Sequence, residues 1–512
     1  MSDTSLAADA VPKKSRFPKA VPFIIGNEAA ERFSYYGLRS ILTLFLVAQF
    51  YNPTSDAAKT TVANAKANEM AHLFVTLSYA LPFVGGLVAD WFTGKYKVIL
   101  YISIVYCLGN FCMAGFTTSI NGFTLGLILV AIGAGGIKSC VSANVGDQFD
   151  ASNQDLLSKV YGWFYFSINA GSVFSTLLIP VVYKYWGAKW AFGIPGILMA
   201  LATIIFFSGR KMYVRVPPKG VNKNNFVFIS LYALFNWRKK QKGQSLLDVA
   251  KAKFDPEKVD GIKAVYRVMA VFFFAFAFWA VWDQNLSEWV LQAEKMNRYI
   301  GLGVYHVPFF KHALDLNFTI LPSQVQTFNP VFLLLFIPIF SYWIYPFFDK
   351  IGLKTTPLRR IGVGLVLTAL SFVVIGLIQA NIDHGGTPSI WWQVFAYVIL
   401  SAAEVLVSIT GLEYAYTHSP ISMKSTMTAI WLLVVSLGNL FTAAINHNMA
   451  NHGFFEKRLV GANYEWFFVG VVLAFTIAFM FVSPRLKERS YIINPYVEPG
   501  SEGQIVADTN NL

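Results

Sequence analysis

Uninterrupted apolar runs of about twenty residues are the feature that most constrains how this chain can fold. The hydrocarbon core of a bilayer is about 30 Å thick, so a helix needs roughly twenty apolar residues to cross it. The runs begin near Pro22, Met70, Lys97, Gly122, Lys159 and Lys189, and then near Val265, Val325, Arg360, Trp391, Ser425 and Trp466. A membrane β-barrel would instead alternate apolar and polar residues over segments of about ten. The sequence predicts an all-α integral membrane protein with twelve transmembrane helices.

The composition is typical of a chain that is surrounded by lipid. Of its 512 residues, 55% are hydrophobic and 13% are charged, whereas about a quarter are charged in a soluble protein. The net charge of +13 could indicate a nucleic-acid partner, but the excess Lys and Arg residues lie mainly in the loops. Membrane topology explains that distribution better. Cys107, Cys112 and Cys140 lie in apolar runs without metal-ligand spacing, so we expect no metal site.

A basic break divides the runs into two groups of six. The predicted units are a tail at 1–21, a six-helix bundle at 22–208, a basic linker at 209–264, a second six-helix bundle at 265–485 and a tail at 486–512. Both tails and the linker carry Lys or Arg and fall on the same side, which the positive-inside rule assigns to the cytoplasm. The basic loop 292–324 opposes this orientation, but long translocated loops obey the rule poorly. The polar first twenty residues lack the apolar segment of a signal peptide.

The first apolar run contains the charged stretch "EAAERFSYYGLRS". An ionised side chain near the bilayer centre costs at least ~2.5 to 3.5 kcal/mol, so these charges require partners or water. Glu28, Glu31, Arg32 and Arg39 share one side of a helix, which predicts that they face a bundle interior. Glu28 can pair with Arg32 one turn further on. A buried ion pair that only fixes helix register is the alternative.

Other ionisable residues in the runs are divided unevenly between the two groups. The first group contributes the basic Arg32, Arg39 and Lys138, and the second contributes the acidic Asp283, Glu404 and Glu413. A ligand with one anionic and one cationic end could lie between the groups, its carboxylate toward Arg39 and Lys138 and its ammonium toward Glu404. The charge distribution therefore predicts a zwitterionic substrate.

Two sets of motifs resemble known transporter families. The loop "GGLVADWFTGKYK", with Asp90 and Lys95, resembles the loop between helices two and three of the major facilitator superfamily, although it could be only a charged loop. "ERFSYYG" after Glu28, "GGIKSCVSANVGDQF", "FYFSINAGS" and "FWAVWDQ" resemble signature stretches of the proton-coupled oligopeptide transporter (POT/PTR) family. This resemblance runs from about Glu28 to Arg485. It implies a major facilitator fold, in which two pseudo-symmetric halves surround a site near the bilayer midplane.

The resemblance also implies roles for individual residues. Glu28, Glu31 and Arg32 match the ExxER element that the family uses for proton coupling. Arg39 and Lys138 match positions that receive the peptide carboxylate, and Glu404 matches the acid that receives the amino terminus. Asn169 and Asn329 match side chains that bind the peptide backbone. The remaining substrate-site candidates are Tyr36, Tyr79, Trp279, Trp431 and Ser408.

Two further roles are hypotheses from position and chemistry. Arg39 and Asp283 belong to opposite halves, so an ion pair between them could act as a gate. His72 could be a proton relay, since a histidine changes charge near physiological pH, or a buried histidine with satisfied hydrogen bonds.

The leading functional prediction is a symporter in which protons moving inward drive the import of di- and tripeptides. A transporter of nitrate or another small anion, and a peptide-sensing receptor without net transport, are the alternatives. The chain lacks HExxH and nucleophile-elbow motifs, and in "GAGGIKS" Ile137 separates the glycines from the lysine, so we predict neither an enzyme nor a phosphate-binding loop. We expect location in the plasma (inner) membrane, protons and peptides as ligands, no other cofactor, no nucleic acid and no obligate protein partner.

Overall fold

The protein is mostly helical. This computed structural model describes residues 17–51, 57–149, 153, 156–218, 220–221, 224–301, 304–305, 314–315, 317–420, 423–486, 489–490 and 507–508. The predicted N-terminal tail as far as residue 16, and most of the predicted C-terminal tail, lie outside the described residues.

The first half begins where Pro22 opens a long helix, as a proline in a first turn favours. Its α-helices are α1 Val21–Leu46, α2 Ala57–Val88, α3 Lys95–Gly115, α4 Ile120–Gly146 and α5 Leu157–Ser208. α2 begins well before the apolar run near Met70, because residues 57–69 are rich in Ala and Lys, which favour helix. Within α5, Gly187 has φ 77° and is not helical. This conformation interrupts the helix, and glycine is the residue that adopts it readily. α5 therefore consists of two helical segments that meet at Gly187.

The second half begins where Asp255 accepts a hydrogen bond from the backbone N–H of Glu257 and caps the next long helix. Its α-helices are α7 Pro256–Trp282, α8 Glu288–Glu294, α9 Phe328–Ile339, α10 Tyr345–Lys350, α11 Pro357–Asp383, α12 Ile390–Glu404, α13 Thr410–Thr417, α14 Lys424–Ala450 and α15 Ala462–Val482. The first turns of α7 therefore belong to the segment predicted as linker. A 3-10 turn at Asp283–Leu286 separates α7 from α8, and a π-helix at Val405–Ile409 separates α12 from α13.

The linker contains an apolar helix, α6 Phe226–Phe235, which the sequence analysis did not predict. Ile229 and Ala233 on α6 are fully buried in the core of the second half. A 3-10 helix follows at Leu246–Ala252. This part of the linker therefore packs with the second half.

Short strands depart from the all-α prediction. The loop between α8 and α9 contains β1 Tyr299–Ile300, β2 Val304–Tyr305, β3 Leu314–Asp315 and β4 Phe318–Thr319, and near the end of the chain lie β5 Arg489–Ser490 and β6 Ala507–Asp508. The antiparallel pairs are β1 with β4, β2 with β3, and β5 with β6.

Among the described residues, ten helices are long and apolar enough to cross a membrane. α1 is not one of them, although it has 26 residues, because charged residues lower its hydropathy. We call these residues, Glu28, Glu31, Arg32 and Arg39, the charged stripe. The long α5, which Gly187 divides, counts as one of the ten. The prediction of a helical membrane protein is thus confirmed, whereas the count of twelve spans stays a prediction.

Two separate hydrophobic cores correspond to the two halves of the chain. Almost all residues of one core come from 20–213, and almost all of the other come from 229–479. The halves also meet through polar contacts at the end of the molecule where α1 ends and α2 begins, which we call the outer end. One example is Asn68 Nδ2, which donates to Glu288 Oε2 at 2.6 Å. Another is Thr327 Oγ1, which donates to Thr176 Oγ1 at 2.9 Å.

Candidate functional site

The charged stripe of α1 is buried inside the first half. Arg32 Nε lies 3.2 Å from Glu28 Oε1 and also donates a hydrogen bond to Glu31. All three residues are less than 5% exposed. α5 approaches α1 closely here, since a Cβ built on Gly171 would lie 2.9 Å from the carbonyl oxygen of Ala29. The prediction that Glu28 pairs with Arg32 is confirmed.

Three cations of the first half surround one aromatic ring, that of Tyr35. The ring centroid lies 5.5 Å from Arg32 Cζ, 5.7 Å from Arg39 Cζ and 6.0 Å from Lys138 Nζ. Lys138 Nζ lies much closer to the ring of Tyr79, at 3.5 Å from its centroid. The negative face of an aromatic ring attracts a cation, so Tyr35 and Tyr79 stabilise positive charge that would otherwise be costly in a buried site. Tyr35 was absent from the predicted site, although it lies between Arg32 and Arg39 on the same side of α1.

An ion pair joins the two halves at the outer end of this cluster. Arg39 Nη2 donates to Asp283 Oδ1 at 2.7 Å, and Asn439 Nδ2 donates to Asp283 Oδ2 at 2.6 Å. Arg39 is 5% exposed and Asp283 is 1% exposed. Arg39 Nη1 is buried and has no hydrogen-bond partner among the described residues. Arg39 therefore binds the opposite half through one nitrogen and retains a second donor.

His72 belongs to the same network, and its neighbours determine its tautomer. Its Nδ1 lies 2.8 Å from Asn439 Oδ1, and its Nε2 lies 3.1 Å from Ser287 Oγ. Asn439 uses its amide nitrogen to donate to Asp283 and to Val435, so its oxygen must be the acceptor. A neutral His72 then carries its hydrogen on Nδ1, and Nε2 is the nitrogen that can accept a proton.

The acid of the second half lies in a cluster of hydrogen-bond donors. Glu404 Oε2 accepts from Trp282 Nε1 at 3.0 Å and from Asn329 Nδ2 at 2.9 Å. Asn329 Nδ2 also lies 3.1 Å from Ser401 Oγ. The π-helix Val405–Ile409 begins directly after Glu404, and such bulges frequently mark functional sites. Asn329 and Glu404, which the sequence analysis named separately, thus form one unit.

Aromatic side chains form a wall beside Glu404. The ring centroids of Trp279 and Trp282 are 5.4 Å apart, and those of Trp279 and Trp431 are 6.1 Å apart, both edge to face. Trp279 Nε1 is buried without a hydrogen-bond partner among the described residues. In the other half, Tyr36 packs edge to face on Tyr35 at 5.4 Å. Trp279, which contacts the indole ring that binds Glu404, thus has an unused donor.

Three further predicted residues have other surroundings. Asn169 donates to the carbonyl oxygen of Tyr165 on its own helix at 2.8 Å. Ser408 lies in the π-helix after Glu404 and is partly buried. Glu413 was predicted to be a buried acid, and this is wrong. Its side chain is 47% exposed and lies 3.3 Å from Arg360.

The loop motif that contains Asp90 and Lys95 has one ion pair, through Lys95. Lys95 Nζ lies 2.8 Å from a carboxylate oxygen of Asp147 at the end of α4, while Asp90 is exposed in a π-helix at Ala89–Thr93. The loop therefore binds the end of α4 through Lys95.

No group of three or more His, Cys, Asp or Glu side chains that could hold a metal ion occurs among the described residues. The three cysteines are free thiols.

Two helical cores with buried charges between them, joined by polar contacts at one end, define a helical membrane protein of two bundles. The chain belongs to the POT family: the family model described as "PTR2: POT family" matches residues 96–466.

Curated relatives agree with that family. The chain is 34% identical over 394 residues to "Peptide transporter 3" of Caenorhabditis elegans. The matched region covers 73% of this chain and 52% of that protein. It is 37% identical over 390 residues to "Peptide transporter family 1" of Drosophila melanogaster, covering 72% and 48% of the two chains. It is 33% identical over 423 residues to "Solute carrier family 15 member 2" of Homo sapiens, covering 78% and 54%. The chain therefore spans about half the length of these relatives.

Solved structures are similar over nearly their whole length. The crystal structure of the POT family transporter PepTSo has a TM-score of 0.81 at 33% identity, covering 92% of this chain and 99% of that one. An "auto inhibited POT family peptide transporter" has a TM-score of 0.80 at 32% identity, covering 94% and 99%.

Proposed function

We propose that this protein is a proton-coupled symporter that imports di- and tripeptides by alternating access. It would span the plasma (inner) membrane twelve times, with α1 as one span and the two segments of α5 as two, and with both termini in the cytoplasm. The named activities of its relatives and the buried ionisable residues between two bundles support this proposal.

The observation that carries the proposal is the opposite charge of the two halves around a common space. Lys138 and Arg39 of the first half contribute positive charge, and Glu404 of the second half contributes negative charge. Tyr36 lies close enough to both Glu404 and Arg39 to interact with them electrostatically, so these groups surround one region. A zwitterionic peptide matches that arrangement at both of its termini.

Substrate binding would use groups that every peptide possesses. Lys138 and the free Nη1 of Arg39 would donate to the carboxylate, while Glu404 would accept from the ammonium group. Trp279 Nε1 and Asn329 would bind backbone carbonyl groups. Side chains would then contact only roomy aromatic walls, which permits many peptide sequences.

Proton coupling would use the stripe of α1. Glu28 and Glu31 both lie within electrostatic range of Lys138 as well as Arg32. A peptide carboxylate that engages Lys138 would compete with those glutamates for the cation, and a glutamate that loses this partner would bind a proton. With a membrane potential of 100 mV, one charge carried inward supplies ~2.3 kcal/mol, enough for about fiftyfold accumulation.

Alternating access requires an outer end that opens. In the present conformation the Arg39–Asp283 pair and the His72 hydrogen bonds hold this end together across the halves. Both would have to separate before a peptide could enter from outside, so the pair is proposed as the gate.

Uptake by proteoliposomes tests the function. Labelled dialanine should accumulate under an inward proton gradient, and a protonophore should abolish the accumulation. Dialanine with an acetylated amino terminus or an amidated carboxyl terminus should compete poorly. Glu31→Gln should lose proton-driven accumulation but keep peptide exchange between equal pools.

Other outcomes would support the alternative functions. Nitrate uptake without peptide uptake would indicate a small-anion transporter. Saturable peptide binding without accumulation or exchange would indicate a receptor.

A further inference from the structure

A polar cavity lies at the outer end, and none of the residues that line it belongs to the charged clusters described above. Its volume is about 340 Å³. It is lined by residues of α2, α8, α11, α14 and α15, by Lys295 directly after α8, and by the loop before α15; the polar ones include Asn64, Asn68, Glu288, Asp383, Asn446 and Tyr464. Only α2 belongs to the first half, so the cavity lies between the halves.

A hydrogen bond of 2.6 Å from Asn68 to Glu288 joins two of the residues that line the cavity. One helical turn along α2 from Asn68 is His72, and the chain neighbour of Glu288 is Ser287. These two residues bond to each other and line a second, very small cavity of about 10 Å³ together with Arg39 and Asp283. That volume is close to the least that holds one water molecule. The Asn68–Glu288 bond therefore lies next to the gate network.

Two asparagines that line the larger cavity have buried acceptor oxygens without donors. Asn68 uses Nδ2 for Glu288, and Asn446 uses Nδ2 for the backbone oxygen of Thr442 and the hydroxyl of Tyr464. Their Oδ1 atoms are therefore acceptors, and neither has a partner among the described residues. Asn68 is 1% exposed and Asn446 is fully buried. Buried acceptors without partners are costly, so the cavity favours a donor such as water or hydronium.

Charged groups from several elements face or approach Glu288. Lys295 comes from its own helix, and Asp383 from α11. Glu465 of α15 is 1% exposed, has one unpartnered oxygen and lies within electrostatic range of Glu288. Asp383 is already bound by Gln379 and by the backbone N–H of Ala462. Of the charged residues that line the cavity, the two carboxylates Glu288 and Asp383 outnumber the one lysine, so the cavity attracts cations.

We propose that this cavity is the water-filled entrance for protons from outside, and that Glu288 is the group that passes them toward His72. The inference rests on the proposed proton coupling and adds a positioning residue outside the substrate site. Hydronium in the cavity protonates the Glu288 carboxylate and leaves water. Glu288 then releases that proton through the Ser287 hydroxyl, or a water beside it, to Nε2 of His72. Glu288 returns to its ionised form, and His72 becomes an imidazolium beside Asp283.

The test is the external-pH dependence of uptake by the full-length protein in proteoliposomes. Labelled dialanine uptake is measured over a series of external pH values at one internal pH, together with exchange at equal pH on both sides. Glu288→Gln cannot carry a proton, so its uptake midpoint should move by about one pH unit toward acid, a tenfold change in proton requirement. Its exchange should match that of the parent protein. Glu288→Asp keeps a titratable carboxyl group and should restore most of the parental profile.

Glu69→Gln is the matched control. Like Glu288, Glu69 is a glutamate at the outer end that contacts the opposite half. Glu69 belongs to α2 and lies 2.8 Å from His447 of the second half, and it does not line the cavity. Its pH profile should match that of the parent.

Each outcome decides a separate question. Identical pH profiles for the parent and Glu288→Gln would overturn the inference while leaving proton-coupled transport intact. A parent whose uptake ignores external pH would refute the proposed function itself. If Glu288→Gln also loses exchange, Asn68→Ala decides instead. It opens the path beside an intact Glu288, so it should retain the parental midpoint, and a midpoint moved by about one pH unit toward acid would refute the relay.

Discussion

Asp283→Asn should open the outer end of the protein. In the present conformation Asp283 accepts from Arg39 through one oxygen and from Asn439 through the other, at 2.7 and 2.6 Å. An asparagine has only one acceptor oxygen, so one of these donors loses its partner. Breaking a buried ion pair by removing one member costs about 3 to 5 kcal/mol.

That cost falls on the closed conformation alone if water reaches both groups when the outer end opens. The ratio of open to closed molecules would then rise about a hundredfold to a few thousandfold, since 1.4 kcal/mol is a factor of ten. These values are upper limits, because Arg39 can rearrange toward other acceptors.

Thiol labelling from the outside measures the change. Ala71 lines the small cavity beside Arg39 and Asp283, so a cysteine placed there is covered while the gate is closed. The background lacks the native thiols Cys107, Cys112 and Cys140. Asp283→Asn should raise the rate of labelling by a membrane-impermeant reagent at least tenfold.

Two variants sharpen this experiment. Asp147→Asn removes the same charge from the Lys95 pair elsewhere in the protein and should leave labelling unchanged. Arg39→Gln combined with Asp283→Asn leaves no unpaired charge, so it should label more slowly than Asp283→Asn alone. Equal labelling rates in the parent and Asp283→Asn would show that the ion pair does not hold the gate.

Three further predictions concern binding and stability. Glu404→Gln should weaken competition by free dialanine about tenfold or more but leave acetylated dialanine unaffected, because a charged partner of the ammonium group is lost. The hydrogen bond from Lys263 lowers the pKa of Asp248 in the linker, so their contact should stabilise the linker at neutral pH and lose its contribution as acid protonates Asp248, below the ordinary aspartate range. Limited proteolysis of the linker by an acid protease should rise there, and it should rise less in Asp248→Asn, in which Asp260 still pairs with Lys251 and Lys263. Gly171→Val should lower the thermal midpoint by several degrees, whereas Gly162→Ala, at a site with free space, should not.

The charged part of the site could be predicted from sequence because charges are conspicuous in apolar runs. Glu28, Arg32 and Arg39 stand out by their cost in a bilayer, and helical spacing places them on one side. The opposite sign of Glu404 and Asp283 in the second half then suggests contacts between halves. The structure contains the Glu28–Arg32 and Arg39–Asp283 pairs.

The neutral partners could not be predicted in the same way. Asn439 joins His72 to Asp283, and Ser287 also binds His72. Trp282 donates to Glu404. Each of these three residue types is common in membrane proteins. Asparagine and serine often bridge helices at little cost, so their presence does not reveal which group they contact.

Boundaries were the least predictable part of the fold. The polar residues 57–69 continue α2 because helix propensity acts where hydropathy gives no signal. The exposed Glu413 lies in an apolar run beside buried residues, and its contact with Arg360 of α11 could not be read from the run itself.

The hydrogen bond from Trp282 to Glu404 has an optical consequence. Indole emission responds to nearby charge, so the colour and intensity of Trp282 fluorescence should change when Glu404 gains a proton or binds an ammonium group. Trp279 and Trp431 lie near enough to exchange excitation energy with it. Three of the thirteen tryptophans of the chain thus form one emitting unit beside the acid. Substrate arrival could therefore be followed by light from the unlabelled protein, on the timescale of the binding event itself.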